Sequence, residues 1–307
     1  MLLGVHVSTA GGVSRAVPEA LALGCEAIQV FTRNQRQWRP RRIPPSEALC
    51  FRRAARAAGY ARRAMSHASY LINLCATDPR TLRRSRLALV DELRRCEMLG
   101  IPYLVVHPGA HMGAGEERGL ECIAESLRFA LARTRGVTVL LENTAGQGTS
   151  LGWRLEHLAA LRLPRTGVCL DTCHLFAAGY DLRTPRAYER TMGAVEETIG
   201  LASVKAFHLN DSRCGLGSRR DRHEHIGRGG LGGRAFAILV RDPRFARIFG
   251  VLETPKAGAM DRTNLDLLRR MRRHRRSRPG LPPPGNRDTG PPARRLTSPL
   301  PIRDLRS

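Results

Sequence analysis

GVCLDTCHLFAAGYDL, residues 167–182, sets out the pattern that decides the fold. Val168, Cys169 and Leu170 make a short apolar run of the kind a strand buried on both faces needs. The run stops at Asp171, and His174 follows three residues later. A carboxylate and an imidazole at the mouth of a strand have two readings. They are a hydrogen-bonded pair that orders a loop, or they hold a metal. One instance does not choose between these, so recurrence is the test.

The pattern does recur. Short apolar runs occur at LLGVHVS (2–8), AIQVFT (27–32), ARRAMSHA (61–68), YLVVHPG (103–109), TVLLENT (138–144), GVCLDTCH (167–174), VKAFHLND (204–211) and FGVLETP (249–255). The third is weak as a strand by itself. Helical patterns lie between them. DPRTLRRSRLALVDELRRCEMLG offers Asp78 as N-cap and Pro79 at the first helical position, puts Leu82, Leu89, Leu93 and Cys96 on one face, and ends at Gly100. TPRAYERTMGAVEETIG repeats the scheme with Thr184, Pro185, Tyr188, Met192, Val195 and Ile199. Strands that alternate with helices run parallel, because each crossover returns the chain to the same edge. Eight such units predict an α/β fold, a (β/α)8 TIM barrel, over residues 1–273. A doubly wound open sheet is the alternative, but neither G-x-G-x-x-G after the first strand nor G-x-x-x-x-G-K-[ST] is present to support it.

Composition narrows the class further. The chain has 307 residues, 42% of them hydrophobic, which suffices for a substantial core. No run approaches the ~18 apolar residues of a membrane span. MLLGVHVSTAGG lacks the features of a signal peptide. The eight cysteines form no CxxC pair and suit reduced, buried thiols, so a cytoplasmic protein without membrane contact is expected. The net charge is +24, and all but two of its cations, Lys205 and Lys256, are arginines. Genomic base composition is the alternative reading of that arginine excess. A field this positive still attracts polyanions, nucleic acid above all. Residues 269–307 hold twelve arginines against two aspartates and contribute +10. The Pro/Arg-rich stretch 274–307 has no hydrophobic period and is expected to be a disordered tail.

In a barrel of this kind, chemistry sits at the C-terminal ends of the strands. Read in order, those ends carry His67, His107, Glu142, Asp171 with His174 beyond it, His208, and Glu253. The loop after the seventh strand adds Asp221 and His223 in DRHEH. Five of the ten histidines and four carboxylates thus converge on one rim. Singly, each is an ordinary capping or hydrogen-bonding residue. Crowded together they carry mutual repulsion and a desolvation cost that divalent cations relieve. Imidazole nitrogen and carboxylate oxygen are the usual non-thiolate ligands of zinc, and nine ligands suit a cluster better than one tetrahedral ion.

The motifs GVHVSTAGG, FTRNQRQW, HASYLINL, VVHPGAH, LENTAGQG, GVCLDTCHLFAAGYDLRTP, FHLNDS, GSRRDRHEHIG and VLETP follow one another over residues 1 to 272. In them the sequence resembles endonuclease IV, the barrel-type apurinic/apyrimidinic (AP) endonuclease family. The resemblance implies a TIM barrel with three Zn²⁺ ions. One would be held by His67 and His107, with Glu142 bridging to a second, which also takes Asp171, His208 and Glu253. The third would take His174, Asp221 and His223, and the extra His225 stays a loop residue. Glu142 and Glu253 would be the catalytic carboxylates. The implied reaction is hydrolysis of the phosphodiester 5′ to an abasic site in double-stranded DNA, leaving a 3′-hydroxyl and a 5′-deoxyribose phosphate. Three dications and four carboxylates leave a charge of +2, suited to an anion. Arg36, Tyr70 and Leu71 match the family's inserting positions, and Arg222 is a phosphate contact. A planar cation and an apolar wedge replace lost stacking, so flipping costs least where a base is missing. His6, His111 and His157 are expected to be structural or supporting, Trp38 receives no role, and a monomer is expected. Two rivals stand beside this reading. One is a divalent-metal sugar isomerase or epimerase on the same barrel, which needs fewer ligands. The other is non-enzymatic, a basic scaffold that merely coats nucleic acid.

Overall fold

Residues 1–273 are described in a computed structural model; the expected tail, 274–307, lies outside the described residues. Each of the eight apolar runs supplies one strand: β1 (Leu2–His6), β2 (Ala27–Phe31), β3 (Ala64–His67), β4 (Tyr103–Val106), β5 (Thr138–Glu142), β6 (Thr166–Asp171), β7 (Val204–His208) and, closing the ring, β10 (Phe249–Leu252). They pair in the order β1-β10-β7-β6-β5-β4-β3-β2, every pair parallel, and form a closed barrel. Closure leaves the barrel no free edge, and the described strands form no open doubly wound sheet. Two further two-residue strands, β8 (Asp211–Ser212) and β9 (His223–Glu224), pair antiparallel within the long loop after β7.

Helices fill the returns: α1 (Ala16–Ala22), α2 (Pro45–Ala57), α3 (Pro79–Leu99), α4 (Glu116–Leu131), α5 (Leu155–Ala160), α6 (Thr172–Ala178), α7 (Pro185–Ile199), α8 (Gly232–Arg241) and α9 (Met260–Arg273). The cap chemistry works as read. Asp78 accepts from the Thr81 amide and Thr184 from the Ala187 amide, while Gly100 ends α3 with φ 69°. Leu89, Leu93 and Cys96 are buried, whereas Leu82 near the helix start is only half-buried. The weak third run yields only four strand residues, since Arg62 and Arg63 stay exposed in the turn before β3.

The core has two parts. The larger packs the outer strand face against the helices. The smaller fills the barrel with Ala27, Met65, Val105, Leu140, Cys169, Ala206, Phe249 and Val251. On β1 the interior is too tight for any side chain at Gly4, where a Cβ would strike the Ala27 carbonyl. Among the described residues no helix is long and apolar enough to cross a membrane.

Candidate metal centre

Side chains alternate across a strand, so the residue two places beyond an inward-facing one also faces inward, one layer higher. That step converts the apolar barrel filling into the site. Met65 leads to His67, Val105 to His107, Leu140 to Glu142, Cys169 to Asp171, Ala206 to His208 and Val251 to Glu253. The remaining two strands follow the same rule, with Ala27 leading to Gln29 and Gly4 to His6. His67, Glu142, Asp171, His174 and His208 are buried, while His107, Asp221, His223 and Glu253 are partly exposed at the mouth.

Ligand-type atoms gather in overlapping groups, each within 4.8 Å. His67, His107 and Glu142 form one; Glu142, Asp171, His208 and Glu253 form a second; Asp171, His174 and His223 form a third. Asp221 joins His223, its Oδ1 lying 3.2 Å from His174 Nε2 and 3.3 Å from His223 Nε2. Glu142 belongs to two groups through different oxygens. Oε2 is 3.1 Å from both His67 Nε2 and His107 Nε2, and Oε1 is 2.8 Å from His208 Nδ1. Cys173 also approaches Asp221 and His223. Its thiol donates to the Arg222 carbonyl at 3.7 Å, and burial with the nearby Asp171 charge pushes its ionisation up, so it is a poor ligand.

Whether these residues fit metal depends on their lone pairs. His67 Nδ1 donates to the Ala68 carbonyl (2.7 Å), His174 Nδ1 to the Asn143 carbonyl (2.9 Å) and His223 Nδ1 to the Glu253 carbonyl (3.2 Å). His208 is turned round, its Nε2 donating to Gln29 Oε1 at 2.8 Å. In a neutral imidazole the other nitrogen is then an acceptor. His174 Nε2 and His223 Nε2 thus present lone pairs to each other at 3.4 Å, and both face the Asp221 carboxylate. An all-acceptor site needs a cation, and imidazole with carboxylate is a donor set that fits zinc.

The ionisation behaviour agrees. Burial alone would raise the Glu142 carboxyl, yet His208 and His107 hold it well below the usual range. Glu253 is likewise lowered against burial, by His208 and by its hydrogen bond with His6. Burial opposes charge on His174, but Asp171 and Asp221 push it up to about 10. Without metal, protons occupy the places that the acceptors require a cation to fill.

Several supporting residues escaped the sequence reading. Gln29 Nε2 donates to Glu253 Oε1 at 2.5 Å. Asn210 Nδ2 donates to Asp171 Oδ2 at 2.6 Å while its Oδ1 accepts from the Glu253 amide at 2.9 Å. Asn143 Oδ1 accepts from the Asp171 amide. His6 lies 2.9 Å from Glu253 Oε1, in keeping with a supporting role, and burial lowers its basicity. Asp211 organises the loop that carries Asp221, Arg222 and His223. Its buried carboxylate accepts from the amides of Ser212 (2.8 Å), Gly227 (3.0 Å), Gly229 (3.0 Å), Leu231 (2.9 Å) and Gly232 (3.2 Å). At Gly229 a Cβ would collide with the Ser212 carbonyl and with Asp211 itself. The only early signal of these roles was polar residues set inside or just after apolar runs, as in AIQVF and FHLND. His225 belongs to none of the ligand groups found among the described residues; it is buried with its Nδ1 3.1 Å from Asn264 Nδ2.

The positions expected to meet DNA divide. Tyr70 is 59% exposed yet reaches the site, its ring 5.3 Å from that of His67 and 6.0 Å from that of His107. Leu71 beside it is half-buried. Arg222 is exposed next to Asp221 and donates to that residue's own carbonyl at 2.6 Å. Arg36 is exposed on the loop after β2, with no hydrogen bond to the ligand groups. Trp38 packs against the core under the Arg84 guanidinium.

A barrel with this mouth defines a class first. The model of the xylose isomerase-like TIM barrel family matches residues 17–274. More narrowly, the chain belongs to the endonuclease IV family. It is 49% identical over 275 residues to a probable endonuclease 4 of Chloroflexus aurantiacus, spanning 87% of this chain and 96% of that relative. The crystal structure of endonuclease IV from Thermus thermophilus superposes with a TM-score of 0.80 at 41% identity, covering 88% of this chain and 98% of that one. A D-tagatose 3-epimerase-like protein reaches a TM-score of 0.68 at 16% identity over 88% of this chain and 97% of its own, a likeness of fold alone.

Proposed function

We propose that this protein is a zinc-dependent DNA-repair endonuclease that hydrolyses the phosphodiester 5′ to abasic sites, leaving a 3′-hydroxyl and a 5′-deoxyribose phosphate. The carrying observation is the set of overlapping imidazole–carboxylate groups joined through the two oxygens of Glu142. His67 and His107 would hold one ion, Asp171, His208 and Glu253 a second, and His174, Asp221 and His223 a third, with Glu142 bridging the first two. Bound there, the ions would supply a water nucleophile at neutral pH and compensate charge on the phosphate.

The chain's own residues do the rest. Glu142 and Glu253 are the catalytic carboxylates, held ionised by the imidazoles around them. Tyr70 and Leu71 fill the gap left by the missing base, Arg36 stacks beside them, and Arg222 takes a phosphate. The enzyme acts as a monomer in the cytoplasm, at the nucleoid, on double-stranded DNA.

The deciding experiment incubates the protein with a duplex carrying one tetrahydrofuran abasic analogue, with and without chelator. Incision 5′ to the analogue, abolished by chelation and restored by Zn²⁺, is expected. No incision sinks the proposal. The epimerase reading rests on fold alone, and ketose epimerisation without incision would establish it. Chelator-resistant DNA binding as the sole activity would establish the scaffold reading.

A further inference from the structure

Glu92 lies in the middle of α3 on the apolar stripe of Leu89, Leu93 and Cys96, and it is fully buried. A carboxylate placed there costs desolvation that a leucine would not, so its partners need an explanation. Those partners belong to two different loops. The Thr32 hydroxyl donates to Glu92 Oε2 at 2.7 Å, and the Ser69 amide donates to Oε1 at 3.1 Å. Thr32 begins the loop that carries Arg36, and Ser69 directly precedes Tyr70 and Leu71 in the loop after β3.

The same network grips both loops further along. The buried Arg33 guanidinium lies 3.9 Å from Glu92 Oε1 and donates to the carbonyls of Gln37 (3.0 Å) and Trp38 (2.5 Å). Ser69 Oγ donates to the Gln35 carbonyl at 2.7 Å and accepts from the Leu71 amide at 3.3 Å. Backbone on both sides of Arg36 is thereby pinned, and one of the pins is the residue next to Tyr70. Neither loop segment is helix or strand, so no ladder fixes their separation.

We propose that Glu92 is a positioning residue for lesion recognition, coupling the two loops so that Arg36 and the Tyr70–Leu71 wedge enter the duplex as one unit. This deepens the function proposed above and rests on it. The alternative is that Glu92 merely stabilises the barrel, and the two differ in what they leave intact.

The test uses full-length, zinc-loaded wild type, Glu92→Gln and Thr32→Val. Three quantities are measured: zinc content, hydrolysis of bis(p-nitrophenyl) phosphate, and preference for abasic duplex, taken as KM against the inhibition constant of an undamaged duplex. Both variants should keep zinc and small-diester hydrolysis within about twofold while preference falls about tenfold, the worth of one buried hydrogen bond. Thr32→Val removes only the hydroxyl that bonds Glu92 Oε2 and decides the matter if Glu92→Gln fails to fold. Preference unchanged in the folded variants overturns the coupling. So does a parallel loss of zinc and small-diester hydrolysis, which marks a purely structural role. A wild type that shows no preference overturns the functional reading itself, and the coupling with it, a failure visible before any variant is made.

Discussion

Replacing Asp211 by Asn tests whether one buried carboxylate builds the loop that supplies the third ligand group. The five amides it accepts divide between its oxygens, with Ser212 and Leu231 on Oδ1 and Gly227, Gly229 and Gly232 on Oδ2. An asparagine can offer its carbonyl oxygen to only one of these sets. Its NH₂ then opposes at least two amide donors, which lose their acceptor and meet another donor instead. At about 1.5 kcal/mol or more for each hydrogen bond to a charged group, the cost is at least about 3 kcal/mol. That corresponds to a fall in Tm of roughly 6–12 °C for a domain of this size. Calorimetry in chelator reads this directly, because the loss does not depend on bound ions. Metal analysis after reloading should then show one ion fewer than wild type, since Asp221 and His223 sit on the released loop. An Asn variant that melts with wild type and binds the same metal would refute the reasoning.

Three shorter predictions complete the set. Glu142→Ala should lose metal and incision together, measured by elemental analysis and gel assay, because it serves two ligand groups at once; full metal content with full activity would count against a bridging role. Tyr70→Ala should raise the Kd for abasic duplex by about tenfold or more, as expected for losing one aromatic stacking surface, while binding to undamaged duplex by fluorescence anisotropy changes little. Away from the site, Asp242 accepts from Tyr188 Oη (2.7 Å) and Arg244 (2.6 Å); against the effect of burial, these bonds hold its carboxyl below the ordinary 3.8. A lowered folded-state value means the stabilisation is complete above that ordinary value and is lost as pH falls through the folded one. Asp242→Asn should therefore cost about 1–3 kcal/mol at pH 7 in urea titrations, with the gap from wild type closing below about pH 4.

The barrel was legible because its signal is periodic. Strand, turn and helix repeat eight times, and Asp78, Pro79 and Gly100 bracket α3 as their local chemistry demands. The ligand positions were legible for a related reason. A polar residue ending an apolar run two places after an inward-facing one has nowhere to go but the barrel mouth. What stayed hidden depends on distances that no period encodes. Asp211 gathers amides up to 21 residues away, and Glu92 reaches 60 residues back to Thr32. A charge on the leucine stripe of α3 was visible, but its partners were not. ARRAMSHA was weak as a strand because pairing with β2 and β4 on both sides, rather than its own propensity, makes Ala64–His67 extended.

The four rings anchored through one nitrogen carry an implication for how the enzyme comes into being. Their orientation is fixed by carbonyls and an amide that belong to the scaffold, so the receptacle is complete once the polypeptide has folded. Unlike a zinc finger, which collapses only around its ion, this chain would then mature first and be charged afterwards. On the proposed metal reading, the ions would be exchangeable parts, and a stripped sample should recover on dialysis without passing through denaturant.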